Sequence, residues 1–135
     1  MSKAIHKRRV FISHSGEDTW VARQIAKEIA ERDGEPCLDE ADVSVGAEFE
    51  EDILQFLDTA DELLVLMTPW AYERPYVWSE IGAAWFKRIP IIILLHGWSI
   101  QEFQSRPSVP VFLKKRDMIK LNDIDKYLTQ FQGHP

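Results

Sequence analysis

Short apolar runs alternate along this chain with segments whose apolar residues recur at helical spacing, and that alternation constrains the fold more than any other feature. The runs are Val10-Phe11-Ile12, Glu35 to Asp39, Leu63 to Met67, Pro90 to Leu95 and Met118-Ile119. Leu63-Leu64-Val65-Leu66-Met67 is apolar at every position, the pattern of a strand covered on both faces rather than one. Between the first two runs, Val21, Ile25 and Ile29 fall at i, i+4 and i+8, one face of a helix that Asp18 is placed to cap and Asp33-Gly34 to stop. A second helical pattern carries Phe49, Ile53, Phe56 and Leu57; a third opens at Pro75 and runs to about Lys87; a last one, with Asp123 as its cap, carries Tyr127, Leu128 and Phe131. Strand and helix in strict turn predict an α/β domain, a parallel sheet with helices on both faces and right-handed crossovers. Ligands of such sheets bind beyond the carboxyl ends of the strands, which selects the loops after residues 13, 39, 68 and 95.

A length of 135 residues suits one domain over 1–135, with a core from about 8 to 131. The net charge of -6 argues against a nucleic-acid footprint, which needs clustered Lys and Arg over a face. Lys7-Arg8-Arg9 is too short for one and reads as a solvated flank of the first strand. Cys37, the one cysteine, excludes an internal disulfide and a cysteine-based zinc cluster, and reads as a buried thiol in a reducing compartment. Val10-Phe11-Ile12 is too short for the core of a secretory leader, and Ile89 to Leu95, interrupted by Pro90, is far below a membrane span. A cytoplasmic protein with no membrane, nucleic-acid or metal partner is expected.

The third helical segment carries the most suggestive carboxylate. At about 100° per residue, Val77, Ile81, Ala84 and Trp85 make its buried face and Glu80 lies roughly 85° from the centre of that face, at its border. Tyr76 precedes Glu80 by one turn and Ala83 and Ala84 follow it, so an aromatic ring and two small side chains flank the carboxylate.

Three stretches give the chain a family likeness: RVFISHSGED at the start, the spacing of Asp39, Val43 and Gly46 (DxxxLxxG with valine for leucine), and YVWSEIG. Together they resemble the TIR (Toll/interleukin-1 receptor/resistance protein) domain, in its stand-alone prokaryotic form. YVWSEIG is similar to the family's W-C-x-x-E-L block, with Tyr76 for tryptophan and Val77 for cysteine. The resemblance implies a three-layer, flavodoxin-like fold with a five-stranded central parallel sheet. It implies two roles: assembly with other TIR domains, or cleavage of the nicotinamide–ribose bond of NAD+ by way of a glutamate that maps to Glu80. The loop Glu40 to Gly46 corresponds to the segment that gates the site and mediates self-association.

The chemistry suits a lone carboxylate. Glycosidases generally employ two, because the leaving alkoxide must be protonated. Nicotinamide leaves NAD+ as a neutral base from a cationic pyridinium, so one carboxylate that holds the ribose hydroxyls and stabilises the developing cation is sufficient. NAD+ is then a substrate and no cofactor is expected. Ser13, His14 and Ser15 offer hydroxyls, an imidazole and backbone N–H groups to the ligand, or simply form the turn. Asp39 orders its loop or touches ligand, Gly46 serves its conformation, and Phe49 belongs either to the core or to the loop lining. Trp70 stacks on a base or shields the site; Trp78, Trp98 and Trp85 pack or meet another subunit. With no glycine-rich phosphate loop, Arg74 and the Arg8/Arg9 pair are the candidates to offset the phosphates. The expected activity is that of an NAD+ glycohydrolase or ADP-ribosyl cyclase in immune or antiphage signalling. A non-catalytic assembly module, or an effector that interferes with host TIR signalling, is the alternative.

Overall fold

The computed structural model describes residues 7–38, 55, 57–114 and 118–131. Five strands, β1 (Arg9–Ser13), β2 (Glu35–Leu38), β3 (Glu62–Met67), β4 (Ile91–Leu95) and β5 (Met118–Lys120), form one sheet in the order β2-β1-β3-β4-β5. Every neighbouring pair is parallel, as alternation of strands with crossover helices requires. The described helices are α1 (Thr19–Glu31), α2 (Pro69–Tyr72), α3 (Pro75–Phe86), α4 (Ile100–Gln104), α5 (Val111–Lys114) and α6 (Asp125–Leu128).

Side-chain parity divides the core into two layers. Val10, Ile12, Leu64, Leu66 and Leu94 face Ala22, Ile25 and Ile29 of α1 together with Tyr127 and Leu128 of α6. Their neighbours Phe11, Leu63, Val65, Met67, Ile91, Ile93 and Leu95 face Val77, Ile81 and Ala84 of α3. All six residues of β3 are buried, which is why that strand shows no alternation in sequence. Because α1 returns on one face and α3 on the other, the direction of winding reverses between β1 and β3, and their carboxyl ends flank a crevice.

Local structure departs from the expectations in instructive places. Asp18 is the N-cap residue of α1, yet its side chain caps nothing. Asp123 lies in a 3-10 turn, Leu121–Asp123, ahead of a four-residue α6 whose N-cap is Ile124 without a side-chain bond. After α1 the positive φ of 68° belongs to Asp33, whereas Gly34 is required by space: a Cβ there would sit 2.4 Å from Cγ2 of Ile29. Trp85 is 49% exposed and stacks on Phe112 with ring centroids 4.8 Å apart. Cys37 is half-buried against the α3-side core rather than enclosed by it.

The basic flank is an anchor, not a solvated strand end. Arg8 pairs with the buried Glu62 at 2.5 Å, Glu62 also accepts from the Tyr127 hydroxyl, and the Arg8 guanidinium lies 4.6 Å from the centroid of the Phe131 ring. Arg9 pairs with Glu35 at 3.4 Å. These contacts gather at the amino end of the sheet, some four residues or about 13 Å of strand from Ser13, so Arg8 and Arg9 are not at hand for phosphates at the carboxyl end.

Candidate functional site

Ser13 closes β1 on the same side of the sheet as Phe11, and that side carries α3. Its hydroxyl donates to Oε1 of Glu80 at 2.5 Å, and both side chains are buried. One turn earlier on α3, the Tyr76 hydroxyl donates to the backbone carbonyl of His14 at 2.9 Å. Two side chains spaced by a helical turn thus hold two consecutive residues of the strand end. The Tyr76 hydroxyl is committed to the protein rather than left free for a ligand. The carboxylate is 3% exposed, deeper than a border position implies; Ala84 is part of the core and adds no open space, and Ala83 is half-buried against the same cluster.

Helix geometry alone does not explain the depth. Glu80 and Trp85 lie on opposite flanks of the Val77–Ile81–Ala84 stripe, and one is buried and the other half exposed. The difference is set by β1, which reaches under the Glu80 flank and supplies Ser13 as a partner. Pro75 begins α3 where an N–H has no helical acceptor to lose.

The His14 ring is fixed as well. Nδ1 lies 2.8 Å from the carbonyl oxygen of Ser15, an acceptor only, so Nδ1 carries the proton and Nε2 of the neutral ring is an acceptor. Nε2 is buried and has no hydrogen-bond partner among the described residues.

A residue outside the expected set ties the crevice together. Oδ2 of Asp18 accepts from the Ser15 hydroxyl at 2.7 Å and from the Thr68 hydroxyl at 2.6 Å, and Thr68 in turn accepts from the backbone N–H of Ala71 as cap of α2. The carboxylate that the sequence offers as a helix cap therefore joins the loops after β1 and β3. The signal lay in sequence only as Thr68-Pro69, a helix start; nothing local pointed from Thr68 to Asp18. The platform beneath is aromatic. Trp98 Nε1 and the His96 N–H both donate to the Met67 carbonyl, Trp78 Nε1 donates to the Tyr72 carbonyl at 2.7 Å, and the Tyr72 ring meets Trp78, Trp98 and Phe103 edge to face.

Of the other expected site residues, Trp70 is 53% exposed beside the Thr68 link and Arg74 is the half-buried N-cap residue of α3. Asp39, Gly46, Phe49 and the 40–46 loop lie outside the described residues. Among the described residues, no group of three or more His, Cys, Asp or Glu is arranged to hold a metal, and no helix is long and apolar enough to cross a membrane.

A family model described as TIR domain matches residues 10–132. No curated protein matches the chain. Among solved structures, the TIR domain of the Toll-related receptor TRR-2 from Hydra magnipapillata aligns with a TM-score of 0.65 at 19% identity, over 90% of this chain and 91% of that one. A metazoan TIR-STING receptor from C. gigas, solved with 2',3'-cGAMP, aligns at a TM-score of 0.68 and 18% identity over 93% of this chain and 39% of that one. A 2-desoxiribosyltransferase from Leishmania mexicana aligns at 0.67 and 10% identity over 95% and 99%.

Proposed function

We propose that this chain, which belongs to the TIR domain family, is an NAD+ nucleosidase in which Glu80 stabilises the ribosyl cation formed as nicotinamide departs. One observation carries the reading: a helix carboxylate, 3% exposed, is held by a serine hydroxyl at the carboxyl end of β1, beside the point where the sheet reverses its winding. A carboxylate withdrawn from water interacts more strongly with developing positive charge than a solvated one. The Ser13 bond fixes its rotamer before substrate arrives, so little reorganisation remains for the reaction.

In the proposed reaction the C–N bond between ribose and nicotinamide breaks and its electron pair neutralises the pyridinium. Nicotinamide leaves without a proton. Glu80 accepts hydrogen bonds from the ribose hydroxyls and faces the oxocarbenium ion electrostatically. Water then adds to the anomeric carbon and loses its proton, giving ADP-ribose, or a nucleophile within the same molecule adds and gives a cyclic product. Ser13, His14 and Ser15 form the buried strand end that meets the ligand, with Trp70 offering an exposed indole for a base and Arg74 a cation for the phosphates; Asp39, Gly46 and Phe49 are the remaining proposed contacts. NAD+ is substrate, not cofactor. A role in cytoplasmic immune or antiphage signalling, through NAD+ depletion or a diffusible product, follows from that activity.

Incubation with NAD+ at high protein concentration, with chromatographic separation of nicotinamide, ADP-ribose and cyclic products, tests the reading. Nicotinamide release by the wild-type chain and not by Glu80→Gln is the expected result. Release by both removes Glu80 from the reaction.

A second reading, assembly with other TIR domains or interference with them, is favoured by a different observation. Trp85, Phe86 and Val111 are 49%, 82% and 67% exposed, and Trp85 and Phe86 border an open hollow of mixed polar and apolar lining with Arg88, Ile89 and Pro90. Exposed aromatic clusters of this kind mark association surfaces. The two readings are compatible if a second subunit completes the site. Specific activity that stays constant over a wide dilution range opposes that combination.

A further inference from the structure

The acceptor left open on His14 has a chemistry of its own. The Nδ1 proton is committed to the Ser15 carbonyl, the backbone carbonyl is held by Tyr76, and the residue is 2% exposed. The ring is therefore fixed in orientation. Its second nitrogen, Nε2, is a buried acceptor with no partner among the described residues. Buried polar atoms without partners are rare because each forfeits its hydration, so this one, next in sequence to the serine that holds Glu80, calls for a ligand group that supplies the missing bond.

We infer that His14 Nε2 accepts a hydrogen bond from the carboxamide N–H of the nicotinamide ring, and so selects the carboxamide over analogues that lack the donor. The inference rests on the reading of Glu80 as the group facing the ribose. The nicotinamide riboside half of NAD+ carries two kinds of donor, the ribose hydroxyls and the carboxamide NH2. Glu80 takes the hydroxyls. The carboxamide is the donor that remains for the His14 acceptor, whose backbone is tied to α3 through Tyr76 one turn from Glu80. An acceptor without a partner rejects a ligand that cannot donate more sharply than an apolar wall does, since the mismatch leaves the nitrogen buried and unpaired in the complex.

The test compares NAD+ with its 3-acetylpyridine analogue, in which a methyl group replaces the NH2. Intrinsic leaving-group differences cancel when each variant is compared across both substrates. His14→Leu is expected to lower kcat/KM for NAD+ about tenfold while changing that for the analogue less than about twofold, and His14→Gln, which keeps an acceptor, to recover much of the preference. Equal losses on both substrates overturn the inference. Unmutated protein provides a readout that does not need turnover. In 15N imidazole spectra, with the His14 signals assigned by His14→Gln among the four histidines, nicotinamide should move the Nε2 resonance and 3-acetylpyridine should leave it in place. No movement with nicotinamide, in a protein that cleaves NAD+, refutes the His14 contact and spares Glu80. Movement without NAD+ cleavage keeps the contact and refutes the nucleosidase reading.

Discussion

Ser13 and Glu80, 67 residues apart in sequence, share a hydrogen bond of 2.5 Å from the serine hydroxyl to Oε1 of the carboxylate. The bond joins the end of a central strand to the middle of the helix packed on it, and it is the contact from which the proposed chemistry starts. Glu80→Gln keeps the side-chain shape and an acceptor for Ser13 but removes the charge. Its expected effect is a loss of nicotinamide release of about a hundredfold or more, with a melting temperature close to that of the wild type, read by calorimetry alongside the chromatographic assay.

Ser13→Ala tests the positioning contribution separately. A hydrogen bond to a charged group contributes about 1.5–3 kcal/mol, so a tenfold or greater fall in kcat with KM little changed is expected if Ser13 sets the carboxylate rotamer. Ser13→Thr retains the hydroxyl and should restore most of the rate. A rise in KM with kcat preserved would assign Ser13 to ligand contact instead.

Asp18→Ala removes the acceptor shared by Ser15 and Thr68 and leaves two buried hydroxyls to find new partners. At about 1–3 kcal/mol for an unsatisfied buried group, the variant should lose at least one such increment in urea denaturation. Asp18→Asn, with one carbonyl acceptor left, should lose less. Equal stability of all three proteins would show that the link between the two loops is incidental.

Tyr127 gives a pH prediction at the far end of the sheet. Burial first, and the neighbouring Glu62 carboxylate second, push its phenol well above the ordinary tyrosine range. A folded-state pKa above the unfolded one stabilises fully below the unfolded value, and the contribution is lost as pH rises through and beyond about 10. Stability should therefore fall more steeply above about pH 10 in the wild type than in Tyr127→Phe, measured by denaturation at fixed pH steps. Parallel curves would mean that Tyr127 does not carry the alkaline loss.

Gly34→Ala places a Cβ 2.4 Å from Ile29 Cγ2 and 2.9 Å from the Phe131 ring, a collision inside the α1 layer. Overpacking of this kind costs about 1–3 kcal/mol, and a thermal shift should show it. An unchanged melting temperature would mean that the C-terminal turn yields.

The order of strands and helices and the two-sided burial of β3 were legible in the sequence, because hydrophobic period and turn residues are local signals that survive without knowledge of partners. Glu80 was legible as a residue at the edge of an apolar stripe. Its burial was not: periodicity places Trp85 in the buried face and Glu80 at the border, whereas the reach of β1 beneath the Glu80 flank buries the carboxylate and the indole is left half exposed. From sequence Asp18 is a cap and Arg8 a solvated flank, since those are the roles that neighbours in sequence can supply. Their partners, Thr68 and Glu62, lie 50 and 54 residues away. Composition and periodicity thus determined which segments form the sheet and, through its parallel order, the end at which the site is proposed. The pairing of buried polar groups across that site was decided by tertiary structure, because a hydroxyl, carboxylate or imidazole removed from water must take whatever partner the packed fold brings within hydrogen-bond reach.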